Sequence, residues 1–451
     1  MNIVIVGAGK VGYALADVLS REQHDVTVVD KRADVLSRVG DILDVMCVEG
    51  NGASVRTLME AGVERTDVLI CVTAADEINM VCSLMAKQMG AKYVIARIRD
   101  PGYTESLVLL QKEMGIDMVI NPERGAALEI SRLFRYPFAD SIETFARGRV
   151  EMVAFRVEER DGIAGIPLKA LTGKFPRVLY CAVERGSEAM IPGGDFVIQV
   201  GDRLNVASDL ETITQFFKKL GRSTQRVRSA MLIGGGHISY YLARAISGMG
   251  VDLRIIEIKK EKCAFLSENL EDVTIICGDG TDQELLTSEN VRDLDALVCL
   301  TDRDEENLMT GLFGVHVGVG KVIVKVNRLN YLELLSGMGM DSVISPKYTT
   351  ANAILRQVRA RANACGSIVE KVYRVVDGQV EALEFTALEG ANYLGVPLSQ
   401  LHIPKGVLVA VLVRDRKIII PFGSDHIEAG DTVILMAKTS SVMKLEDALQ
   451  K

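Results

Sequence analysis

Short runs of β-branched apolar residues alternate with amphipathic stretches along most of the chain. This alternation is typical of a parallel sheet whose strands are joined by crossover helices. In the first part of the chain it predicts strands near residues 2–6, 25–30, 44–48, 67–72, 93–98 and 117–120. The first helix is predicted from one apolar face with spacing i, i+4, i+7, i+8, formed by Val11, Leu15, Val18 and Leu19.

The chain contains an internal duplication. A shift of 227 residues superimposes positions 4–12 on 231–239, and a shift of 228 superimposes 50–52 on 278–280. Further matching segments are 66–73 with 294–301, 117–122 with 341–346, and 165–168 with 395–398. Because these matches follow one order along the chain, each half is expected to repeat the same two-domain arrangement.

The duplication predicts an α/β protein with two tandem Rossmann-like parallel-sheet domains, each followed by a small α+β C-terminal lobe. The expected domains are 1–135, 140–220, 228–361 and 367–451. Pro122 and Pro346 would each open the last helix of a Rossmann-like domain, since proline suits the first helical turn.

The composition of the chain excludes several classes of protein. The chain has 451 residues and a net charge of −8, whereas nucleic-acid binders usually present a basic face, so no nucleic-acid partner is expected. No run approaches the ~18–20 apolar residues of a membrane-spanning helix, so we expect a cytoplasmic chain. The eight cysteines lack Cys-x-x-Cys spacing and indicate reduced structural thiols. The five scattered histidines predict no metal site.

The motif with a chemical mechanism is Gly7-x-Gly9-x-x-Gly12, directly after a predicted strand and opening a helix. Gly7 permits a tight turn, Gly9 lets the backbone approach a pyrophosphate, and Gly12 lets helix and strand pack closely. The free N–H groups of the helix N-terminus then face the phosphates. Asp30 ends the second strand, from where it can accept hydrogen bonds from ribose hydroxyls.

These features predict a nucleotide site in the first half. Asp30 would repel a 2′-phosphate, which favours NAD(H) over NADP(H), although Lys31 and Arg32 weaken that argument. The motif recognises the ribose and the phosphates of a nucleotide, so ATP and ADP also fit this site. The candidate binding residues of this half are Gly7, Ala8, Gly9, Lys10, Val11, Gly12, Asp30, Asn51, Gly52, Thr73, Ala74, Arg97 and Glu123.

The second copy is altered, because Ser239 replaces the third glycine. Serine is small enough for close packing, and Glu257 keeps a carboxylate at the position of Asp30. A structural relic without ligand and a site with its own ligand preference both remain open. The candidate residues of this half are Gly234, Gly235, Gly236, His237, Ile238, Ser239, Glu257, Asp279, Gly280, Thr301 and Lys325.

Several side chains have two interpretations. Lys10 would hold a phosphate or be a solvated surface lysine, and His237 in the second copy removes most of that charge. Arg97 ends a strand at the edge where open α/β sheets bind ligands, but an interface role fits equally. Acidic residues at helix starts, such as Asp76 and Asp304, are interpreted as favourable to the helix dipole.

A catalytic constellation is not evident. A dehydrogenase needs a proton-relay residue beside the nicotinamide, and the first small lobe has no histidine at all. Two dinucleotide folds with small lobes fit a sensor better than a catalyst. An NAD-dependent oxidoreductase and a regulator of another cation transporter are the alternatives.

Four segments carry a family resemblance. Gly-Ala-Gly-Lys-Val-Gly at 7–12, Val-Glu-Gly-Asn-Gly at 48–52, the strand at 66–73 and Ile-Asn-Pro-Glu at 120–123 resemble RCK domains, also called KTN domains, which regulate potassium conductance. The small lobes resemble TrkA-C domains, with Gly-x-Pro-Leu and a late Gly-Asp turn. The duplicated order over essentially all 451 residues resembles the TrkA family of Trk potassium uptake systems.

The resemblance implies a non-enzymatic regulatory subunit on the cytoplasmic side of a membrane-embedded potassium-translocating partner. Such subunits assemble as homo-oligomers, dimers or rings, and bind NAD(H) or ATP/ADP in their Rossmann clefts. It also implies that Glu123 lies near the nucleotide phosphates or a cation. Lys347 takes that place in the second copy, so a carboxylate-dependent cation site is expected to be lost in the second half.

Overall fold

The computed structural model describes residues 1–103, 106–186, 188–222, 226–327, 340, 342–362, 369–375, 379–415, 417–438 and 448–449. The chain divides into two compact units, Met1–Ser131 with Arg228–Val358, and Arg132–Val227 with Arg359–Lys451. Each unit combines corresponding parts of the two repeats. The first unit holds two parallel sheets and the second holds two antiparallel sheets. The four domain boundaries given by the repeat stay a prediction.

The first parallel sheet confirms the Rossmann-like prediction. Its strands are β1 (Asn2–Val6), β2 (Asp25–Asp30), β3 (Met46–Glu49), β4 (Val68–Cys71), β5 (Tyr93–Arg97) and β6 (Met118–Ile120). They lie in the order β3-β2-β1-β4-β5-β6, and every pair is parallel. The order reverses between β1 and β4, which opens a ligand crevice at the carboxyl ends of the strands.

Helices cover both faces of this sheet, as a parallel sheet requires. They are α1 (Lys10–Arg21), α2 (Ala33–Ile42), α3 (Val55–Glu60), α4 (Asp76–Met89) and α5 (Leu107–Met114). Helix α6 (Pro122–Leu133) follows β6 in the chain. The apolar face predicted for α1 is largely buried, with Val11, Leu15 and Leu19 in the core. Pro122 opens α6, as the sequence predicts.

The antiparallel unit starts with β7 (Ser141–Phe145), β8 (Val150–Arg156), a short helix α7 (Leu168–Leu171), β9 (Leu179–Arg185), β10 (Glu188–Met190), β11 (Arg203–Asp209) and α8 (Leu210–Lys219). The sheet order is β10-β9-β11-β8-β7. Helix α8 buries Ile213, Phe216 and Phe217, and the Asp209 side chain accepts a hydrogen bond from Thr212 N to cap it.

The second parallel sheet repeats the first. It consists of β12 (Ser229–Ile233), β13 (Asp252–Glu257), β14 (Val273–Cys277), β15 (Ala296–Cys299), β16 (Lys321–Lys325) and β17 (Ser342–Ile344), in the order β14-β13-β12-β15-β16-β17. Its described helices are α9 (His237–Ile246), α10 (Lys260–Asn269), α11 (Gln283–Ser288), α12 (Asp304–Val317) and α13 (Pro346–Ala362).

Helix α13 crosses from one repeat to the other. It follows β17 of the second sheet in the chain, yet Ala351, Ile354, Leu355 and Val358 belong to the buried core of the first sheet. The same core contains Ile5 of β1. The two Rossmann-like segments therefore share a core, and the N-terminus of α13 is held in a fixed position relative to the first glycine loop.

The second antiparallel sheet contains β18 (Val369–Val375), β19 (Val380–Thr386), β20 (Val407–Arg414), β21 (Lys417–Ile419) and β22 (Thr432–Lys438), in the order β18-β19-β22-β20-β21. One apolar cluster joins residues of both antiparallel sheets, including Val150 and Cys181 with Val411 and Ile434. The two small lobes thus bury part of their apolar surface against each other.

The late Gly-Asp turn of each lobe is fixed by an arginine. Gly201 and Gly430 have φ values of 89° and 85°, in the left-handed region that favours glycine. The next residue, Asp202, accepts two hydrogen bonds from Arg185, at 2.7 and 2.8 Å. Asp431 accepts the same pair from Arg414, at 2.9 and 2.8 Å. Such a bidentate pair fixes the approach of the last strand.

The described cysteines are free thiols at positions 47, 71, 82, 181, 263, 277 and 299. Cys71, Cys82, Cys181 and Cys299 are buried, and burial raises the pKa of the Cys299 thiol. A protonated, buried thiol packs as a small hydrophobe. Cys365 lies outside the described residues.

Candidate functional site

The first glycine loop joins β1 to α1 at the carboxyl edge of its sheet. Gly7 has a φ of 110°, and an added Cβ there would lie 2.9 Å from Thr73 N. An added Cβ on Gly12 would lie 1.8 Å from Gly7 O. Gly9 has an extended backbone, and no atom lies within 4 Å of its Cβ position. The fold itself therefore needs Gly7 and Gly12, whereas Gly9 keeps open space for a ligand.

Asp30 supports this loop from the end of β2. Its Oδ2 accepts a hydrogen bond from Ala8 N at 2.8 Å, and its Oδ1 accepts one from Arg32 N at 3.0 Å. The side chain stays 12% exposed. Because each carboxylate oxygen has a second lone pair, Asp30 can hold the loop and still accept hydrogen bonds from ribose hydroxyls.

A buried asparagine joins the loops after β4 and β5. Asn79 is fully buried in α4, and its Oδ1 accepts hydrogen bonds from Thr73 N at 2.9 Å and from Thr73 Oγ1 at 2.7 Å. Its Nδ2 donates to Thr73 O at 3.3 Å and to Arg97 O at 2.9 Å. Asn307 makes the same four contacts with Thr301 and Lys325.

Replacing Asn79 by alanine is expected to destabilise the first unit by about 1–3 kcal/mol, because Thr73 and Arg97 lose hydrogen bonds in a buried setting. Thermal unfolding without nucleotide measures the effect. Asn269→Ala is the matched control, since that exposed side chain makes one local hydrogen bond with Phe265 O. Equal melting temperatures for the two variants would show that the Asn79 network has no stabilising role.

A cavity of about 660 Å³, here called cavity 1, lies over the first glycine loop. The predicted residues that line it are Gly7, Gly9, Lys10, Val11, Asp30, Asn51, Gly52, Thr73, Ala74 and Arg97. Ala8 and Gly12 do not line it; both are buried behind the loop. A residue that sequence reasoning did not place here, Lys347 of the second repeat, completes the wall.

Cavity 1 is rich in positive charge. The Arg97 guanidinium donates a hydrogen bond to Thr73 O, while its Nε is buried without a hydrogen-bond partner. Burial lowers the pKa of Arg97. The Lys347 ammonium lies beside that of Lys10, and burial, with the neighbouring charge, lowers the pKa of Lys347 to about 8. These groups favour an anion inside the cavity.

The second glycine loop is built differently. Gly234 has a φ of 102° and Gly236 has open space around its Cβ position, as in the first loop. Ser239, however, donates a hydrogen bond from Oγ to Gly234 O, where the first loop has the close contact between Gly12 and Gly7. Serine is therefore accommodated by a hydrogen bond in place of direct backbone packing.

Glu257 is accommodated by a compensating glycine. Its Oε2 accepts a hydrogen bond from Gly235 N at 2.8 Å, and its Oε1 accepts one from Lys259 N at 2.9 Å, which repeats the arrangement of Asp30. An added Cβ on Gly235 would lie 2.9 Å from Glu257 Cβ, so the position of Ala8 must be glycine here. Glu257 is only 6% exposed.

A cavity of about 630 Å³, here called cavity 2, lies at this second loop. The predicted residues that line it are Gly235, Gly236, His237, Ile238, Ser239, Lys325, Val11, Arg97 and Glu123. The predicted residues that do not line it are Gly234, Glu257, Asp279, Gly280 and Thr301. Asp279 instead accepts hydrogen bonds from Thr281, and Gly280 packs against Ile233.

Glu123 and Lys347 lie at cavities that the sequence did not assign to them. Glu123 of the first repeat lines cavity 2 and not cavity 1, and Lys347 of the second repeat lines both. The Glu123 carboxylate thus lies at the second glycine loop and not at the first. The expected loss of a carboxylate-dependent cation site in the second half stays a prediction. Glu123 Oε2 is buried without a hydrogen-bond partner.

Acidic residues at two helix starts also have a function that sequence reasoning missed. Asp76 accepts hydrogen bonds from Arg99 N at 2.7 Å and Asp100 N at 2.9 Å, and Asp304 accepts one from Asn327 N at 2.9 Å. They lie in the first helical turn, as predicted, but their described hydrogen bonds fix the loop after the fifth strand of each sheet. The signal that could have indicated this function was that Asp76 and Asp304 occupy matching positions in the two repeats.

Two features are absent from the described part of the chain. No group of three or more potential metal-ligating side chains occurs there. None of its helices is long and apolar enough to cross a membrane.

Solved structures share the fold. The GsuK RCK domain aligns with a TM-score of 0.63 at 17% identity, over 97% of this chain and 92% of its own. The GsuK channel bound to NAD aligns with a TM-score of 0.64 at 16% identity, over 97% and 77%. At such identities the likeness concerns the fold alone.

Relatives and domain families agree along the whole chain. The protein is 34% identical to Trk system potassium uptake protein TrkA homolog 1 of Methanosarcina mazei over 99% of both chains. It is 32% identical to the TrkA protein of Halomonas elongata over 96% of this chain and 95% of that one. The TrkA-N domain matches residues 3–122 and 230–346, and the TrkA-C domain matches 152–221 and 382–450. The chain therefore belongs to the TrkA family of Trk system potassium uptake proteins.

Proposed function

We propose that this chain is a nucleotide-sensing regulatory subunit of a potassium uptake system. The observation that carries the proposal is cavity 1, where the open position at Gly9, the Asp30 carboxylate and the cations Lys10 and Arg97 surround one space. Phosphates would lie over Gly9 at the N-terminus of α1, and ribose hydroxyls would donate to Asp30.

The proposed ligands are NAD(H) and the adenine nucleotides ATP and ADP. The fold neighbour GsuK has been solved with NAD and with ADP bound, which supports both classes for a chain of this fold. Both share an adenosine ribose and a phosphate chain, the two features that the Asp30 and Gly9 side of cavity 1 can recognise. Cavity 2 is proposed as a second, non-equivalent site, because Ser239 and Glu257 change its loop and Glu123 lines its wall.

The proposed partner is a membrane-embedded potassium-translocating subunit, with this chain on its cytoplasmic face as a homo-oligomer, a dimer or a ring. The chain would have no catalytic activity. A ligand shifts a gate only by its difference in affinity for the two gate states. Several cavities per oligomer, each coupled by ~1–3 kcal/mol, would add to a large change in conductance.

The Asp30→Ala variant is expected to shift the response of potassium uptake to nucleotide concentrations about 10- to 100-fold higher. Loss of hydrogen bonds to a charged group lowers nucleotide affinity by about 10- to 100-fold. The measurement is nucleotide-dependent potassium flux in vesicles that contain a Trk-type membrane subunit and this chain. Asp25→Ala is the matched control, since Asp25 begins the same strand and is exposed at the opposite edge.

An unchanged nucleotide response in the Asp30→Ala variant would overturn the proposed role of cavity 1. Steady oxidation of NADH by the chain with a small oxo-acid would instead favour the oxidoreductase alternative. A flux that depends on a cation other than potassium would favour regulation of another transporter.

A further inference from the structure

Lys347 lies in a position that its place in the sequence does not suggest. It is the second residue of α13, a helix of 17 residues in the second repeat, yet it lines cavity 1 beside Lys10 and Arg97. The core contacts of Ile354 and Leu355 with the first sheet hold α13 in this place. Three cationic side chains from three different elements thus meet at the phosphate side of the first glycine loop.

The charges of cavity 1 are not balanced by its own carboxylates. Its wall carries the basic residues Lys10, Lys31, Arg32, Arg97 and Lys347, and one acidic residue, Asp30. Asp30 already accepts hydrogen bonds from two backbone amides and lies 3.6 Å from Arg32 Nε. Lys347 has Lys10 as its neighbour; the Asp304 carboxylate also acts on Lys347, but Asp304 does not line cavity 1.

Cavity 2 provides the internal comparison. Its wall carries the basic residues Arg97, Arg99, Lys262, Lys325 and Lys347, and the acidic residues Asp100, Glu123, Glu261 and Asp302. Lys325 Nζ lies 3.3 Å from Asp302 Oδ1, and Asp76 lies 3.2 Å from Arg99 Nε. The excess of positive charge is therefore a property of cavity 1 and not of both glycine-loop sites.

We propose that Lys347, together with Lys10 and Arg97, binds the terminal phosphate of a nucleoside di- or triphosphate in cavity 1 without a bridging divalent cation. This inference rests on the proposed function and names the ligand class of that site. A terminal phosphate carries close to two negative charges at neutral pH, about twice the charge of each phosphate in a dinucleotide bridge. Ammonium and guanidinium groups supply the countercharge that a metal ion supplies where carboxylates surround the phosphates.

A bound phosphate would also account for the clustering of Lys10, Arg97 and Lys347 at cavity 1. Two neighbouring ammonium groups repel each other when the cavity is empty, and the anion removes that repulsion. Arg97, which also lines the cavity, has an Nε that is buried without a hydrogen-bond partner. Since Lys347 belongs to the second repeat, the ligand of cavity 1 contacts both repeats. Residues of the two Rossmann-like segments therefore bind the same phosphate chain.

The test is a calorimetric titration of the full chain with ATP, ADP and NADH, in EDTA and in magnesium. The binding component that an Asp30→Ala variant weakens is assigned to cavity 1. Lys347→Gln is expected to weaken this component by about tenfold or more for ATP, and by less than about threefold for NADH. Lys347→Arg should restore ATP binding, and Lys112→Gln on the exposed side of α5 is the charge-matched control.

The outcomes separate the inference from the proposed function. ATP affinity that is the same in Lys347→Gln and in the native chain, while Asp30→Ala still weakens it, overturns the inference and leaves the nucleotide site intact. A strict requirement for magnesium in the native chain also overturns it. Absence of binding by all three nucleotides overturns the proposed function itself.

Discussion

A methyl group on Gly12 is expected to destabilise the first unit, whereas the same group on Gly9 is expected to remove only nucleotide binding. An added Cβ on Gly12 would lie 1.8 Å from Gly7 O, and backbone cannot move away as a flexible side chain can. Overpacking of this kind lowers the free energy of unfolding by about 3 kcal/mol or more. Gly12→Ala should therefore melt at a clearly lower temperature.

Gly9→Ala is the variant to compare with Gly12→Ala. Gly9 has a φ of −67° and no atom within 4 Å of its Cβ position, so alanine causes neither strain nor a clash. Its methyl group would occupy the path by which phosphates approach the backbone, and affinity should fall by about tenfold or more. If Gly12→Ala melts like the native chain, or Gly9→Ala binds nucleotide normally, the account of the loop is wrong.

Arg222→Met is expected to cost the antiparallel unit about 3–5 kcal/mol, because it leaves the Asp161 carboxylate buried without its ion-pair partner. The side chains of Arg222 and Asp161 are 3% and 0% exposed. Arg222 Nε and Nη2 donate to the two carboxylate oxygens at 2.8 and 2.7 Å, and the guanidinium also lies 4.9 Å from the Phe155 ring.

Denaturant unfolding measures this cost, and two further variants assign it. Arg160→Met breaks an exposed pair with Glu158 and should cost less than about 1 kcal/mol. The double variant with Arg222→Met and Asp161→Leu should recover part of the loss, since no lone charge remains buried. A single variant no worse than Arg160→Met would contradict the buried-pair explanation.

The architecture could be predicted from the sequence because the patterns that indicate strands, helix starts and the glycine loop are local. Apolar periodicity placed each strand of the first sheet within two residues of its observed ends, and Pro122 and Pro346 open the helices that they were expected to open. The glycine spacing located the loop of cavity 1, since Gly7 and Gly12 are required by contacts within the same strand–loop–helix unit or its neighbouring strand, while Gly9 leaves open space.

The parts that sequence reasoning missed depend on which surfaces meet. The apolar face of α13 predicts burial but not the sheet that it covers, so the crossing of this helix, and with it the position of Lys347, needed the structure. The position of Glu123 of α6 at cavity 2 needed it as well. Asn79 matched Asn307 between the repeats, but its contact with Arg97 O becomes evident only when β4 and β5 are neighbours.

The central claim, that the first half binds a nucleotide between its glycine loop and Asp30, is tested most directly by calorimetry. The purified chain is titrated with NADH, NAD, ATP and ADP beside the Asp30→Ala variant. The account predicts saturable binding of at least one of these nucleotides, with affinity lowered about 10- to 100-fold by the substitution. Absence of binding by all four, or binding that the Asp30→Ala substitution leaves unchanged, would contradict it.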